Sequence, residues 1–236
     1  MNVVKSYGVA CCRCKKINDK KEYEILFIKK RLSYSFIEFI NGRYNNKNLQ
    51  YLLDGMTVNE KVVLLTFNFK LIWYHGNMTL NNNRRYIKAK EKFNDLYKHD
   101  YGKMFKHMIE ISKNENLIWE IPKGRCKKNE TPKNAAIREF EEETNINKIK
   151  YKILYDKEPI IYSFYDIGIN YVYYYYIGIM LDNIYEPKVD YYLNSMVFEV
   201  SNIQFISSNK LQAFNNDKSF ITLIKKIIKI VKNYKL

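Results

Sequence analysis

Residues 124–146 read GRCKKNETPKNAAIREFEEETNI, and this stretch decides the fold. Its helix signals agree with one another. Thr131 is placed to cap a helix N-terminus, and Pro132 follows at the first helical position, where a missing N–H costs nothing. Asn145 can adopt the left-handed conformation that ends a helix, a role glycine fills more readily. At about 100° per residue, Glu139, Glu142 and Glu143 fall within one sector of roughly 100°. Ala136, Phe140 and Thr144 form the neighbouring apolar stripe, and Glu141 points away. Like charges three and four residues apart on a helix repel, so three carboxylates on one face call for a counterion. Hard oxygen donors select Mg²⁺ or Mn²⁺ over softer metals. The helix alone leaves a second reading open, a solvated acidic face beside an apolar stripe. Glu130 and Arg138 can form a further ion pair, bracing the preceding loop against the helix.

Outward from this helix, the chain alternates between two kinds of pattern. Residues 7–14 and 22–30 read as strands, with the polar link 15–21 as a hairpin connection. From about residue 32 to 112 the character is helical. Thr57-Val-Asn-Glu60 is a capping box, and Val62, Leu65 and Phe69 follow at helical spacing. Asn81-Asn82-Asn83 interrupts this run before a charged helical stretch that reaches Ile111. Strand character returns at residues 117–121, 149–155, 160–165 and 171–180, and again at 197–205. The stretch 171–180 is apolar or aromatic on both faces, which predicts a central strand. Residues 220–234 place Ile224, Ile227, Ile228 and Val231 on one side and Lys225, Lys229 and Lys232 on the other. This is the pattern of a surface helix packed on a core, with membrane binding as the lesser alternative. The order predicts an α+β fold in which residues 1–32 and 113–236 build one discontinuous domain, interrupted by a helical insertion over 33–112.

The 236 residues carry 40 Lys and Arg against 25 Asp and Glu, a formal charge of +15. Such a balance favours a polyanionic partner or serves as a solubilising surface, and composition does not choose between them. Cys11, Cys12 and Cys14 crowd one strand while Cys126 stands apart, with no spacing that completes a zinc site, so reduced thiols are expected. No stretch approaches the ~20 apolar residues of a membrane span, and the first residues contain only a short apolar run. The sequence therefore reads as soluble and intracellular.

The spacing of the decisive stretch resembles the Nudix box. That motif is a Gly, five residues, a Glu, seven residues, then Arg-Glu-apolar-x-Glu-Glu-x-Gly-apolar. Every defined position matches except the late Gly, here Asn145. The resemblance implies a Nudix α/β/α sandwich with a mixed sheet, and hydrolysis of a pyrophosphate bond in a nucleoside-diphosphate-linked substrate. It implies Glu139 and Glu143 as principal metal ligands, Glu142 and Glu130 contributing directly or through water, and the Gly124 carbonyl within reach. Glu139, Glu142 and Arg138 would serve catalysis. Glu199 and Glu142 compete for the role of general base.

The approach Trp119-Glu-Ile-Pro-Lys-Gly124, followed by Arg138-Glu-Phe-Glu-Glu-Glu143, is similar to mRNA-decapping members from large cytoplasmic DNA viruses, of poxvirus and African swine fever virus type. Capped mRNA is then the expected partner, with neither DNA nor a membrane. The host cytoplasm is the expected location, and the virion a second one. In that group a helical insertion helps to bind RNA. Arg84, Arg85, Lys88, Lys90 and Lys92, with Tyr86 interleaved, then Lys98, Lys103 and Lys106, would contact phosphates in a salt-dependent way, unless they are only a solvated face. A cationic methylated purine would stack on aromatic rings, for which Tyr34, Phe36, Trp73, Tyr162, Phe164 and Tyr165 are candidates. Two alternatives stand beside this reading. One is a Nudix hydrolase of diphosphoinositol or nucleoside polyphosphates, and the other a noncatalytic RNA-binding module with a relic box.

Overall fold

The computed structural model describes residues 2–77, 84–98, 100–154, 158–166, 168–192, 194–211 and 217–234. The strands are β1 (Asn2–Ile17), β2 (Lys20–Lys30), β3 (Trp119–Glu120), β4 (Lys123–Gly124), β5 (Tyr151–Ile153), β6 (Ile160–Asp166), β7 (Ile169–Met180) and β8 (Val200–Ser207). The helices are α1 (Tyr34–Ile40), α2 (Leu49–Asp54), α3 (Val58–Thr66), α4 (Phe69–Asn77), α5 (Arg84–Lys98), α6 (Lys103–Ile111), α7 (Pro132–Thr144), α8 (Asn194–Glu199) and α9 (Lys218–Asn233). They divide into two compact units, Met1–Lys30 with Trp119–Leu236, and Arg31–Ile118.

The first unit is a sandwich around a mixed sheet. Its strand order is β3-β2-β1-β7-β5, with β4 paired to β1, β6 to β7 and β8 to β2. β1 and β2 form an antiparallel hairpin, whereas β1 and β7 run parallel from Asn2 opposite Ile169 to Cys12 opposite Ile179. β7 pairs with β1, β5 and β6, as expected of a strand apolar on both faces. The period of two along β1 and β2 sorts their side chains between two layers. Val9, Cys11, Leu26 and Ile28 pack with Ala136 and Phe140 of α7. Their neighbours Ala10, Cys12, Ile25 and Phe27 pack with Phe220, Leu223, Ile224, Ile227 and Ile228 of α9. Burying each large apolar side chain contributes about 1.5–3 kcal/mol, so packing, more than intrinsic helix preference, holds α9 on the sheet. No helix among the described residues is long and apolar enough to cross a membrane.

Several boundaries differ from the sequence expectation, each for a local reason. The link at residues 15–21 is mostly strand, because Asn18 and Asp19 take left-handed φ of 48° and 59° and close a two-residue turn. The strand expected at 117–121 shrinks to two residues. Pro122 has no N–H for a ladder, and the chain moves over to pair Lys123 and Gly124 with β1. The strand at 149–155 is confined to Tyr151–Ile153, and residue 155 lies outside the described residues. The strand expected to begin at residue 197 begins at Val200, because β2 ends at Lys30 and offers no partner further on. The preceding residues coil into α8 and bury Met196 against the α7 layer.

The second unit is helical, with a core that includes Phe36, Phe39, Leu53, Leu64, Trp73 and Phe93. The capping box at Thr57 and Glu60 is present. The buried face of α3, however, is Glu60, Lys61 and Leu64, while Val62 and Leu65 are exposed and Phe69 belongs to the next helix. Buried hydrogen bonds explain the choice. Glu60 accepts from the Ser33 N–H (2.6 Å), the Ser33 hydroxyl (2.8 Å) and the Thr57 N–H (2.8 Å), tying the starts of α1 and α3 together. Lys61 donates to the Lys113 carbonyl and to Asn114 Oδ1. Asn81-Asn82-Asn83 lies outside the described residues.

Candidate active site

α7 begins at Thr131, whose hydroxyl accepts from the Asn134 N–H, and ends at Asn145 with φ of 53°. With Ala136 and Phe140 fixed on the sheet, Glu139, Glu142 and Glu143 turn together towards the end of β4. Gly124 is the strand residue that Glu139 meets. A methyl group there would collide with the Glu139 carboxyl group, so glycine leaves the space this side chain uses.

Cationic side chains hold the carboxylates, with Arg138 and Lys30 as the hubs. Arg138 grips Glu130 with both ends of its fork, Nε to Oε1 at 2.8 Å and Nη2 to Oε2 at 2.9 Å. Its Nη1 reaches Glu139 at 2.7 Å and Glu142 at 2.9 Å, and Nη2 also donates to the Arg125 carbonyl. Lys30 is the second hub. Its Nζ lies 2.8 Å from Glu143, and 3.5 Å from each of Glu120 and Glu199. Lys123 completes the cluster, with Nζ 2.6 Å from Glu120 and its backbone N–H donating to Glu143 at 2.9 Å.

The electrostatics follow from burial and these partners. Glu143 is 3% exposed, and burial pushes its carboxyl up to about 7, against the pull of Lys30. Glu139 is also raised, by burial first, with Arg138 opposing. Glu130 behaves oppositely, drawn down to about 2 by the Arg138 fork and by the Lys127 N–H. Glu130 accepts both ends of the Arg138 fork and the Lys127 N–H, and so braces the loop against the helix. Arg138, expected in catalysis, is engaged in holding three carboxylates in position. Glu199, at the end of α8, is more than half exposed and contacts Lys30.

The donors of this cluster suit a hard divalent cation. They are all oxygens, and Lys30, Lys123, Lys127 and Arg138 face Glu120, Glu130, Glu139, Glu142, Glu143 and Glu199, leaving two negative charges uncompensated at full ionisation. Among the described residues no three acidic, His or Cys side chains already surround one point at ligand distances. The ammonium and guanidinium groups lie among the carboxylates instead. Sequence reasoning missed Lys30, Glu120 and Lys123. Their signal was a strand phase: Lys30 follows Leu26 and Ile28, and Glu120 sits opposite Ile28, so each puts a charge on a core face.

The expected nucleic-acid contacts fare unevenly. Arg84, Arg85, Lys88, Lys90, Lys98, Lys103 and Lys106 are exposed. Lys92 is not available to a phosphate, because it donates to the carbonyls of Gly42 and Tyr44 and lies over the Tyr44 ring. Lys98 pairs with Asp95, Arg85 lies over Trp73, and Tyr86 is buried. Phe36 and Trp73 are core residues, 0% and 2% exposed, and offer no face for stacking. Tyr34 is exposed on the second unit. In the first unit Tyr162 is half-buried, with its hydroxyl on Asp217 and its ring against Phe164 and Tyr173, while Phe164 and Tyr165 are exposed.

The sandwich, the glycine-to-glutamate approach and the carboxylate face of α7 define a Nudix site. The Nudix domain model matches residues 106–224, and the chain belongs to the Nudix family of hydrolases. It is 30% identical to the mRNA-decapping protein g5R of African swine fever virus (strain Badajoz 1971 Vero-adapted) over 244 residues, covering 99% of this chain and 96% of that protein. The same protein from the isolate Warthog/Namibia/Wart80/1980 is also 30% identical, over 99% of this chain and 98% of its own. Among solved structures, a binary complex of the C. elegans Ap4A hydrolase shares the fold, with a TM-score of 0.51 at 13% identity over 98% of this chain and 99% of that one. Nudix hydrolases generally work with divalent metal cations.

Proposed function

We propose that this chain removes the cap from mRNA by hydrolysing the triphosphate bridge, releasing m7GDP and leaving 5′-monophosphate RNA. The observation that carries the reading is the extent of the similarity: it runs through 99% of the chain, helical unit included, to proteins named for decapping. Glu139 and Glu143 are the principal candidates to hold Mg²⁺ or Mn²⁺, with Glu142 and the Gly124 carbonyl beside them. When bound, the cation would neutralise the polyphosphate, polarise a phosphoryl oxygen and acidify the attacking water. Glu199, exposed and next to Lys30, is the proposed group to take the water proton as the new P–O bond forms and the bridging P–O bond breaks. Glu142 is its rival, but two hydrogen bonds from Arg138 and Lys127 engage it.

The exposed Arg84, Arg85, Lys88, Lys90, Lys103 and Lys106 are the proposed contacts for the RNA body, and Tyr34, Tyr162, Phe164 and Tyr165 those for the cap. The proposed place of action is the host cytoplasm. Incubation with cap-labelled RNA and chromatography of the labelled product tests the bond assignment. Labelled m7GDP is expected, lost in Glu143→Gln; m7GMP, or no release, would contradict it. Faster turnover of diphosphoinositol or nucleoside polyphosphates than of capped RNA would favour the small-molecule alternative.

A further inference from the structure

Lys30 stands where β2 leaves the sheet, at a break in register. Lys29 lies opposite Asn202, but Lys30 lies opposite Val200. Ser201 is the extra residue, and its hydroxyl donates to the carbonyls of Lys29 (3.2 Å) and Lys30 (2.9 Å). Bulges of this kind re-aim side chains and recur beside active sites. Here the strand phase puts Lys30 on the face of Leu26 and Ile28, under α7. The side chain is only 13% exposed, and carboxylates from β3, α7 and α8 converge on its ammonium. Lys30 and Lys123 together bring two positive charges to Glu120, Glu143 and Glu199, one fewer than the three carboxylates carry when ionised. Glu143 is almost fully buried, so a cation at this point compensates the cost of its desolvation.

From this geometry we infer that Lys30 is a positioning residue that holds the place of a divalent cation. Its ammonium orients Glu143 and Glu199, and it closes the Glu120–Glu143–Glu199 cluster to an additional ion. A flexible, solvated lysine would do neither; the bulge and the burial keep this one in place. The inference rests on the reading of α7 as a metal-binding helix, and the test separates the two.

Bound Mn²⁺ per chain is counted by electron paramagnetic resonance in the full-length wild type, Lys30→Met and the double variant Lys30→Met/Glu120→Gln. Lys30→Met is expected to take up one more Mn²⁺ per chain than the wild type. Its melting temperature should also rise more on Mn²⁺ addition. The double variant, lacking one carboxylate of the cluster, should return to the wild-type count. A lysine that only filled space would leave the count unchanged in Lys30→Met, and that result overturns the inference while leaving the metal helix intact. A double variant that keeps the extra ion overturns the location. If Lys30→Met is unfolded in EDTA, recovery of its native circular dichroism on adding Mn²⁺ supports the inference, and failure to recover overturns it. A wild-type chain that binds no Mn²⁺ overturns the metal reading and this inference together.

Discussion

Gly124 and Glu139 show how a single hydrogen in place of a methyl group shapes the site. Because the collision at Gly124 is with the mobile end of a glutamate, Gly124→Ala should leave the melting temperature nearly unchanged. The glutamate must move, however, and a misplacement of about 1 Å at a reacting centre can cost roughly 10²-fold in rate. A loss of turnover of about that size is expected in a cap-release assay, with wild-type circular dichroism. Glu130 makes a second prediction through its acidity. Its folded-state pKa is depressed from 4.5 to about 2, so the stabilisation it gives is complete above the unfolded value and is lost as pH falls through the folded one. The stability gap between the wild type and Glu130→Gln should therefore be constant above about pH 5 and close as pH drops towards 2, in urea titrations at each pH. Both residues were legible in the sequence from box spacing. Lys30 and Glu120 were not, since a charge on a core face looks like an ordinary strand charge until the partner strand fixes its phase.

At the level of elements, α7 was readable almost residue by residue. Thr131, Pro132 and Asn145 are local signals, and local signals survive whatever the tertiary structure does. α3 is the contrary case. Its N-terminus was legible in Thr57 and Glu60, but the face it buries was not, because hydrogen bonds to Ser33 and Lys113 outweigh the apolar spacing of Val62 and Leu65. Glu60→Gln leaves part of a buried three-bond acceptor site unsatisfied, at a cost of about 1–3 kcal/mol. Differential scanning calorimetry should show that loss, while Val62→Ala on the exposed side should stay within about 0.5 kcal/mol of the wild type. β8 and α8 mark the same limit differently: where a strand may begin depends on where its neighbour ends, and Lys30 sets that bound for Val200.

For the whole molecule, the +15 charge was plain from composition, but its allocation was not. Lys92 directs its charge at two carbonyls, and Lys98 pairs with Asp95, while Arg84, Lys88, Lys90, Lys103 and Lys106 are exposed cations of the helical unit. If these meet single-stranded RNA, replacing Lys88, Lys90 and Lys103 by Gln should reduce the slope of log affinity against log salt by about 0.7 for each lost phosphate contact. Replacing Lys92 alone should lower stability and leave that slope unchanged, as fluorescence anisotropy across a salt series would show.

The parallel pairing of β1 with β7 also has a temporal side. β1 leaves the ribosome before β7, which follows only after the whole helical unit has been made. Until Met180 has emerged, Val9 to Cys12 have no β7 to lie against, and such distant pairings close slowly. The Arg31–Ile118 unit, contiguous in the chain, can fold during that wait. Synthesis thus gives the helical segment time to fold before β7 completes the sheet under the carboxylate helix, and the β1–β2 hairpin waits for its parallel partner meanwhile.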